Sequence, residues 1–244
     1  MQQPRDHAHA DDLAIPSLGG RLDRRRRATR AALVGAARNM LVHSSADQVS
    51  IQQITDAADV GFGSFYNHFE SKAELFEVAM EEVLEEHGQL LDAVTAALSD
   101  PAEVLALSIR ATGRVVATQP DNARIMVRGG LRLLGADHGL APRALRDLRR
   151  GITDARFSQA DPRTALALVG GGLLGVLQTW LDRLEVDRSP QALLTAVDEL
   201  VELVLRSLGV LDEEAHELAH RPLPELITHE VVPSVRVRGT GGVR

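Results

Sequence analysis

Ser50-Ile51-Gln52-Gln53-Ile54-Thr55-Asp56-Ala57-Ala58-Asp59-Val60-Gly61-Phe62-Gly63-Ser64-Phe65-Tyr66-Asn67-His68-Phe69 decides the fold. Ser50 with Gln53 is a capping-box pair, in which hydroxyl and amide satisfy each other's free backbone donors and so mark a helix start. Ile51, Ile54, Ala57 and Ala58 then give a helix of about two turns one apolar face. Asp59 ends it. Val60 before Gly61, with Phe65 beyond, has the spacing of a hydrophobic staple opening a second short helix. Ser71 with Glu74 repeats the capping-box pattern and starts a long helix through Leu75, Phe76, Ala79, Val83 and Leu84 towards Leu98. Two short helices joined by a tight turn, with a longer helix on either side, are the layout of a helix-turn-helix unit.

Upstream, Leu33, Ala36, Ala37, Met40 and Leu41 fall on one face of a helix predicted over 24–42. Arginines crowd its amino end: Arg21, Arg24, Arg25, Arg26, Arg27 and Arg30 stand against the single acid Asp23. Downstream, Asp100-Pro101, Gln119-Pro120, Ala141-Pro142, Asp161-Pro162 and Ser189-Pro190 mark further helix starts, since proline's missing donor is not needed in a first turn. No strand-like alternation is flanked by hairpin turns, so the fold class is all-α with about nine helices. The expected organisation is a disordered tail over 1–20, a head over 21–87, a larger helical body over 88–212 and a second disordered tail over 213–244.

Composition narrows the function classes. With no cysteine among 244 residues, disulfides, thiolate metal sites and cysteine nucleophiles are excluded. No signal peptide or apolar run of about 18 residues is read, so a cytoplasmic protein without a membrane partner is expected. The net charge of −7 is unfavourable for a polyanion binder on average, but phosphate affinity depends on local cation density, and residues 21–30 supply it. Arginine outnumbers lysine 26 to 1, which singles out Lys72.

Ile54 to Val60 followed by Gly63-Ser64-Phe65-Tyr66-Asn67-His68-Phe69-Glu70-Ser71-Lys72-Ala73-Glu74-Leu75-Phe76 resembles the TetR family of transcriptional repressors. The resemblance covers roughly residues 27–87. It implies a homodimer on a palindromic, double-stranded DNA operator, released by a small-molecule effector. Ile54, Ala57, Ala58, Val60, Phe65 and Phe69 would form a miniature core, and Tyr66, His68 and Lys72 would grip phosphates. Base choice would fall to Gly61, Phe62, Gly63 and Ser64 with Ser50, Gln52 and Asn67 nearby, while Arg25, Arg26 and Arg27 would reach flanking phosphates or the minor groove. In the body, the resemblance implies an effector pocket, for which Arg124, Met126, Arg128, Gln178 and Trp180 are candidates. It also implies a dimer interface on the last two long helices, 162–186 and 190–208, for which Gly171, Leu174, Gly175, Leu193, Leu194, Val197 and Val201 are candidates. No cofactor or metal is required.

Two motifs point elsewhere. Gly170-Gly171-Gly172-Leu173-Leu174-Gly175 satisfies the dinucleotide fingerprint, but no alternating strand and helix pattern surrounds it. His216-Glu217-Leu218-Ala219-His220 has zinc-peptidase spacing, with His229 as a conceivable third ligand, yet it lies where a tail is expected. An enzyme dependent on zinc or nucleotide is therefore the weaker alternative, beside a helical interaction module with a decayed head.

Overall fold

The computed structural model describes residues 18–44, 46–158, 161–183 and 189–224. The 1–17 and 225–244 parts of the two expected tails, and His229, lie outside the described residues. Ten α-helices are found among the described residues: α1 Leu18–His43, α2 Ile51–Ala57, α3 Phe62–Phe65, α4 Lys72–Thr95, α5 Pro101–Thr118, α6 Pro120–Gly129, α7 Leu140–Thr153, α8 Pro162–Arg183, α9 Pro190–Ser207 and α10 Asp212–His220. Short 3₁₀ turns at Ala46–Gln48 and Gly130–Gly135 complete the regular structure.

Two hydrophobic cores divide the chain. The head core gathers Leu33, Val34, Ala37 and Leu41 of α1, Ile54 of α2, Phe65 and Phe69, and Leu75, Phe76, Ala79 and Val83 of α4. Ile54, Phe65 and Phe69 are almost fully buried, each worth roughly 1.5–3 kcal/mol of transfer free energy. Ala58 and Val60 are half-buried as packing partners, whereas Ala57 is exposed, because α2 turns only one narrow face to the core. Ile125 of α6 reaches out of the body into this same core.

The body is built around α5, whose exposure is the lowest of the long helices; Asp100 caps it by accepting from the Ala102 amide at 3.0 Å. It lies against α9 so closely that a Cβ at Gly113 would meet Val197 Cγ1 at 2.9 Å.

Residues 213–220, expected within a disordered tail, belong instead to α10, which starts at Asp212. Ala215, Leu218 and Ala219 make a one-turn apolar stripe buried against α9 and α5. Asp212, Glu213 and Glu214 occupy the first turn, where the helix dipole favours acids. Arg110 locks the element: its guanidinium donates to Asp198 at 2.7 Å and to the carbonyl oxygens of Leu218 at 3.5 Å and Arg221 at 2.5 Å. Arg156 bridges Asp100 and Glu214, at 2.8 and 2.5 Å.

One described helix, α8, is long and apolar enough to cross a membrane, although no such run was read from the sequence. Only 28% of its most apolar window is buried within the chain. Glycines and single polar residues break the run to the eye without lowering its mean hydropathy below that of a span.

Candidate nucleic-acid interface and ligand cavity

The head is assembled from local rules. Ser50 Oγ accepts from the Gln53 amide at 3.2 Å, and Gln53 Oε1 accepts from the Ser50 amide at 2.9 Å, completing the reciprocal box. At the end of α2 the Val60 amide donates to Thr55 O at 3.0 Å and the Asp59 amide to Asp56 O at 3.2 Å. That is a Schellman closure, and Asp59 takes the left-handed position at φ 53° that glycine usually fills. Ser71 caps α4 through the Glu74 amide, but the Glu74 carboxylate reaches one residue further back, to the Glu70 amide at 2.6 Å. The second capping box is therefore half formed.

This frame presents the outer face of α3. Phe62 is 48% and Tyr66 57% exposed, and their rings meet edge to face at 6.0 Å between centroids. Neither belongs to the core. Tyr66 also stands edge-on to buried Phe65 at 5.3 Å, so its ring is oriented while its hydroxyl end is free to reach a partner. Gly61 is the N-cap of α3, and a Cβ at Gly63 would meet nothing, leaving this corner slim enough for close approach to a groove. Gln52 is exposed on α2 and donates to Asp56 Oδ1 at 2.6 Å.

Beside α3 runs a shallow groove lined by Ser64, Asn67 and His68 on one wall and Leu22, Arg25, Arg26 and Thr29 of α1 on the other. The arginines are ordered on a helix that begins before them, with Arg24 Nε donating to Gly20 O at 3.0 Å. Arg30 stacks over the Phe69 ring at 5.1 Å. Burial, with the charges of Arg26 and Arg30, pushes His68 below its ordinary pKa and favours the neutral ring. Lys72 has a structural job alongside its expected phosphate contact: Nζ donates to Asp47 O at 3.2 Å and Val49 O at 3.0 Å, bracing the segment before α2.

In the body a cavity of about 120 Å³ opens between α4, α5, α6, α7 and α8. Its wall is mostly leucine, isoleucine and valine, with Asp92, Arg143 and Asp147 at one side and the hydroxyls of Thr95, Ser108 and Thr112 at another. Of the five effector candidates only Met126 lines it. Arg124 pairs with Asp121 at 2.8 Å, and Gln178 donates to Asp182 at 2.6 Å on the exposed side of α8. Trp180 is buried beside a different groove, between α8 and α9, and its indole N–H finds no acceptor among the described residues. Arg128 turns towards the head instead, donating to Leu41 O and to Ser44 O.

Sequence reasoning missed the polar end of this cavity. Arg143 Nε donates to Asp92 at 2.7 Å, while its two terminal nitrogens hold both oxygens of Glu85 at 2.7 and 2.8 Å. Burial raises the Asp92 pKa, but hydrogen bonds from Arg143 and Arg146 outweigh it and hold the carboxyl below its usual range. The only signal was Arg143 and Asp147 one turn apart, hidden among many similar arginine–acid pairs. His87 lies behind this wall, Nε2 3.0 Å from Thr112 Oγ1. Thr112 gives its own proton to Ser108 O at 2.9 Å, so His87 is the donor in that contact.

The dimer-face candidates separate into three sets. Leu193, Val197 and Val201 are 0–1% exposed and packed inside their own subunit, so they are unavailable to a partner. Leu174 lines the cavity. Leu194 is half-buried, and Gly171 and Gly175 have open space where a Cβ would stand. Leu168 of α8 and Leu203 of α9, 48% and 63% exposed, were not anticipated. The glycine fingerprint sits in the middle of α8 with no strand before it, and Glu217 pairs with Arg221 at 2.8 Å.

Comparisons with known proteins agree with this layout. Residues 33–79 match the family model described as bacterial regulatory proteins, tetR family, and residues 100–221 match that of the tetracyclin repressor-like C-terminal domain. The structure of RolR in complex with resorcinol is 33% identical, covering 83% of this chain and 98% of that one at a TM-score of 0.64. Ligand-free RolR is 32% identical over 80% and 98% of the two chains, with a TM-score of 0.59. The regulator FadR from Bacillus subtilis, in complex with stearoyl-CoA, shares the fold at 17% identity, 72% and 98% coverage and a TM-score of 0.58. No curated protein sequence gives a significant match. Head, body and relatives together establish that the chain belongs to the TetR family of transcriptional regulators.

Proposed function

We propose that this regulator is a homodimeric repressor that holds a palindromic operator through two copies of α3 and lets go when a small hydroxylated aromatic molecule enters the body. The observation that carries the effector class is the cavity: about 120 Å³, apolar on most sides, with carboxylate, guanidinium and hydroxyl groups at its edges. A comparable void of ~150 Å³ holds one benzene ring. Hydroxyls on such a ring would donate to Asp92 or Asp147 and accept from Arg143. RolR, whose structure contains resorcinol, supports the same class.

On the DNA side, Phe62 would meet a thymine methyl or sugar edge, Ser64, Tyr66, Asn67 and His68 would fix the backbone, and Arg25, Arg26 and Arg27 would add salt-dependent grip, with Lys72 near the phosphates. The half-filled apolar face shared by α8, with Leu168, Gly171 and Gly175, and α9, with Leu194 and Leu203, is where a second subunit would sit. Half-sites one duplex turn apart, about 34–36 Å, would make the grip sensitive to small rotations of the heads.

The route between the sites runs through α6. Met126 lines the cavity while neighbouring Ile125 is buried in the head core and Arg128 caps the end of α1. Helix α4 does likewise, with Asp92 and Thr95 at the cavity and Leu75 and Phe76 in the head. A ligand that shifts α6 or α4 therefore moves the head, and a coupling of about 1–3 kcal/mol suffices. The test is selection of bound duplexes from a random pool, followed by titration of resorcinol into the selected complex. A palindromic consensus released by the phenol is expected; absence of any consensus would overturn the repressor reading, and a consensus untouched by resorcinol and related phenols the effector class.

A further inference from the structure

Away from the head and the cavity, the end of the chain brings three metal-ligating side chains to one spot. His216 and His220 are one turn apart on α10, so both rings lie on one side of the helix, with centroids 4.3 Å apart. Glu202 comes to them from α9, against which α10 is packed. Donor atoms of all three lie within 4.8 Å of one another. We propose that Glu202, His216 and His220 form a zinc site that clamps α10 onto α9.

Several details fit a metal better than a chance pairing. His216 Nδ1 is 3.1 Å from Glu202 Oε2, close to the ~3.3 Å edge of a zinc tetrahedron with bonds of about 2.0–2.1 Å. His220 Nδ1 is 2.9 Å from the His216 carbonyl oxygen, which can only accept. The proton therefore sits on Nδ1, leaving the Nε2 lone pair for the ion in the tautomer that outer-shell carbonyls usually impose on metal ligands. Arg206 occupies the other Glu202 oxygen, Oε1, at 2.5 Å and so directs Oε2 towards the histidines. Two imidazoles and one carboxylate suit zinc, whereas magnesium and calcium ask for oxygen alone.

The third ligand, Glu202, comes from α9 and not from the local motif. In the zinc-peptidase pattern Glu217 would activate water beside the ion, but here its carboxylate is held by Arg221 at 2.8 Å. The side chain of His216 is 63% exposed, so the ion would enter from solvent with no cleft for a peptide. The site is thus a clamp, and α10 is worth clamping because it supplies the carbonyl oxygens that receive Arg110 from the buried α5.

Isothermal titration of the chelator-treated chain with zinc alone tests this, alongside the variants His216→Ala, His220→Ala and Glu202→Gln. Because both histidines are exposed, circular dichroism should report an unchanged fold in the alanine variants. One zinc per chain is expected, with a raised melting temperature, and each alanine variant should bind at least about tenfold more weakly and lose the thermal shift. Cobalt in place of zinc should give the strong visible bands of tetrahedral coordination in the wild type only. No binding at about 100 µM zinc, or binding undiminished when both histidines are replaced, overturns the proposal.

Discussion

Arg128 of α6 donates to the carbonyl oxygen of Ser44 at 2.6 Å and to that of Leu41, so a body helix holds the C-terminal end of the first head helix.

Replacing Arg128 with glutamine should loosen this link at a cost of about 1–3 kcal/mol, without unfolding either part, since the Ser44 carbonyl is exposed and can turn to water. Operator affinity without effector is expected to stay within about threefold, while effector-driven release falls at least about fivefold. Fluorescence anisotropy of labelled operator, with and without resorcinol, reads both quantities. Unchanged release would show that coupling runs through α4 alone.

On the head, Phe62→Ala should leave the melting temperature within about a degree, because the ring is half exposed, yet weaken specific binding more than non-specific binding. Arg25→Ala and Arg26→Ala should behave oppositely, weakening both alike. Each lost phosphate contact should flatten the slope of log affinity against log salt by about 0.9. A salt titration on specific and scrambled duplexes separates the two behaviours.

That distinction was legible early because the head is specified by short-range rules. The Ser50–Gln53 box, the Asp59 turn and the staple around Gly61 all lie within one stretch, and each names its own geometry. The body was legible only as helices. A stripe such as Leu193, Val197 and Val201 announces an apolar face without saying whose surface will cover it; here α5 of the same subunit does, leaving Leu168 and Leu203 outside. The cavity's polar edge escaped because Asp92 comes from α4 and Arg143 and Asp147 from α7, and distance along the chain carries no record of their meeting. Helix α10 escaped because one turn of apolar residues is too short a period to stand out.

Acid should expose two titrations in separate windows. His87 is buried, and desolvation lowers its pKa from 6.5 to about 4, so the unfolded chain binds its proton first and stability falls as pH drops from about 6.5 towards 4. Hydrogen bonds from Arg143 bring Glu85 from 4.5 to about 2, so its contribution is present above about 4.5 and is lost as pH falls towards 2. Urea midpoints across pH should lose the upper slope in His87→Gln and the lower one in Glu85→Gln. If the His87 variant retains the slope between pH 4 and 6.5, another group is responsible.

Glycine substitutions discriminate subunit packing from assembly. A Cβ at Gly151 would run into the buried ring of Phe157, so Gly151→Ala should cost about 1–3 kcal/mol and lower the melting temperature by several degrees. At Gly175 an added Cβ would meet nothing within 4 Å and face the open α8–α9 groove, so Gly175→Leu should spare the isolated subunit and instead weaken self-association. Differential scanning fluorimetry with sedimentation velocity reads both, and a dimer indifferent to Gly175→Leu would move the interface elsewhere.

The arginine-studded start of α1 has a consequence for how the molecule travels. Because the chain as a whole is acidic while residues 21–30 are strongly basic, the protein is an electrical arrow with its point beside α3. Near a duplex, the flanks are repelled and the point is drawn in, so collisions arrive already facing the right way.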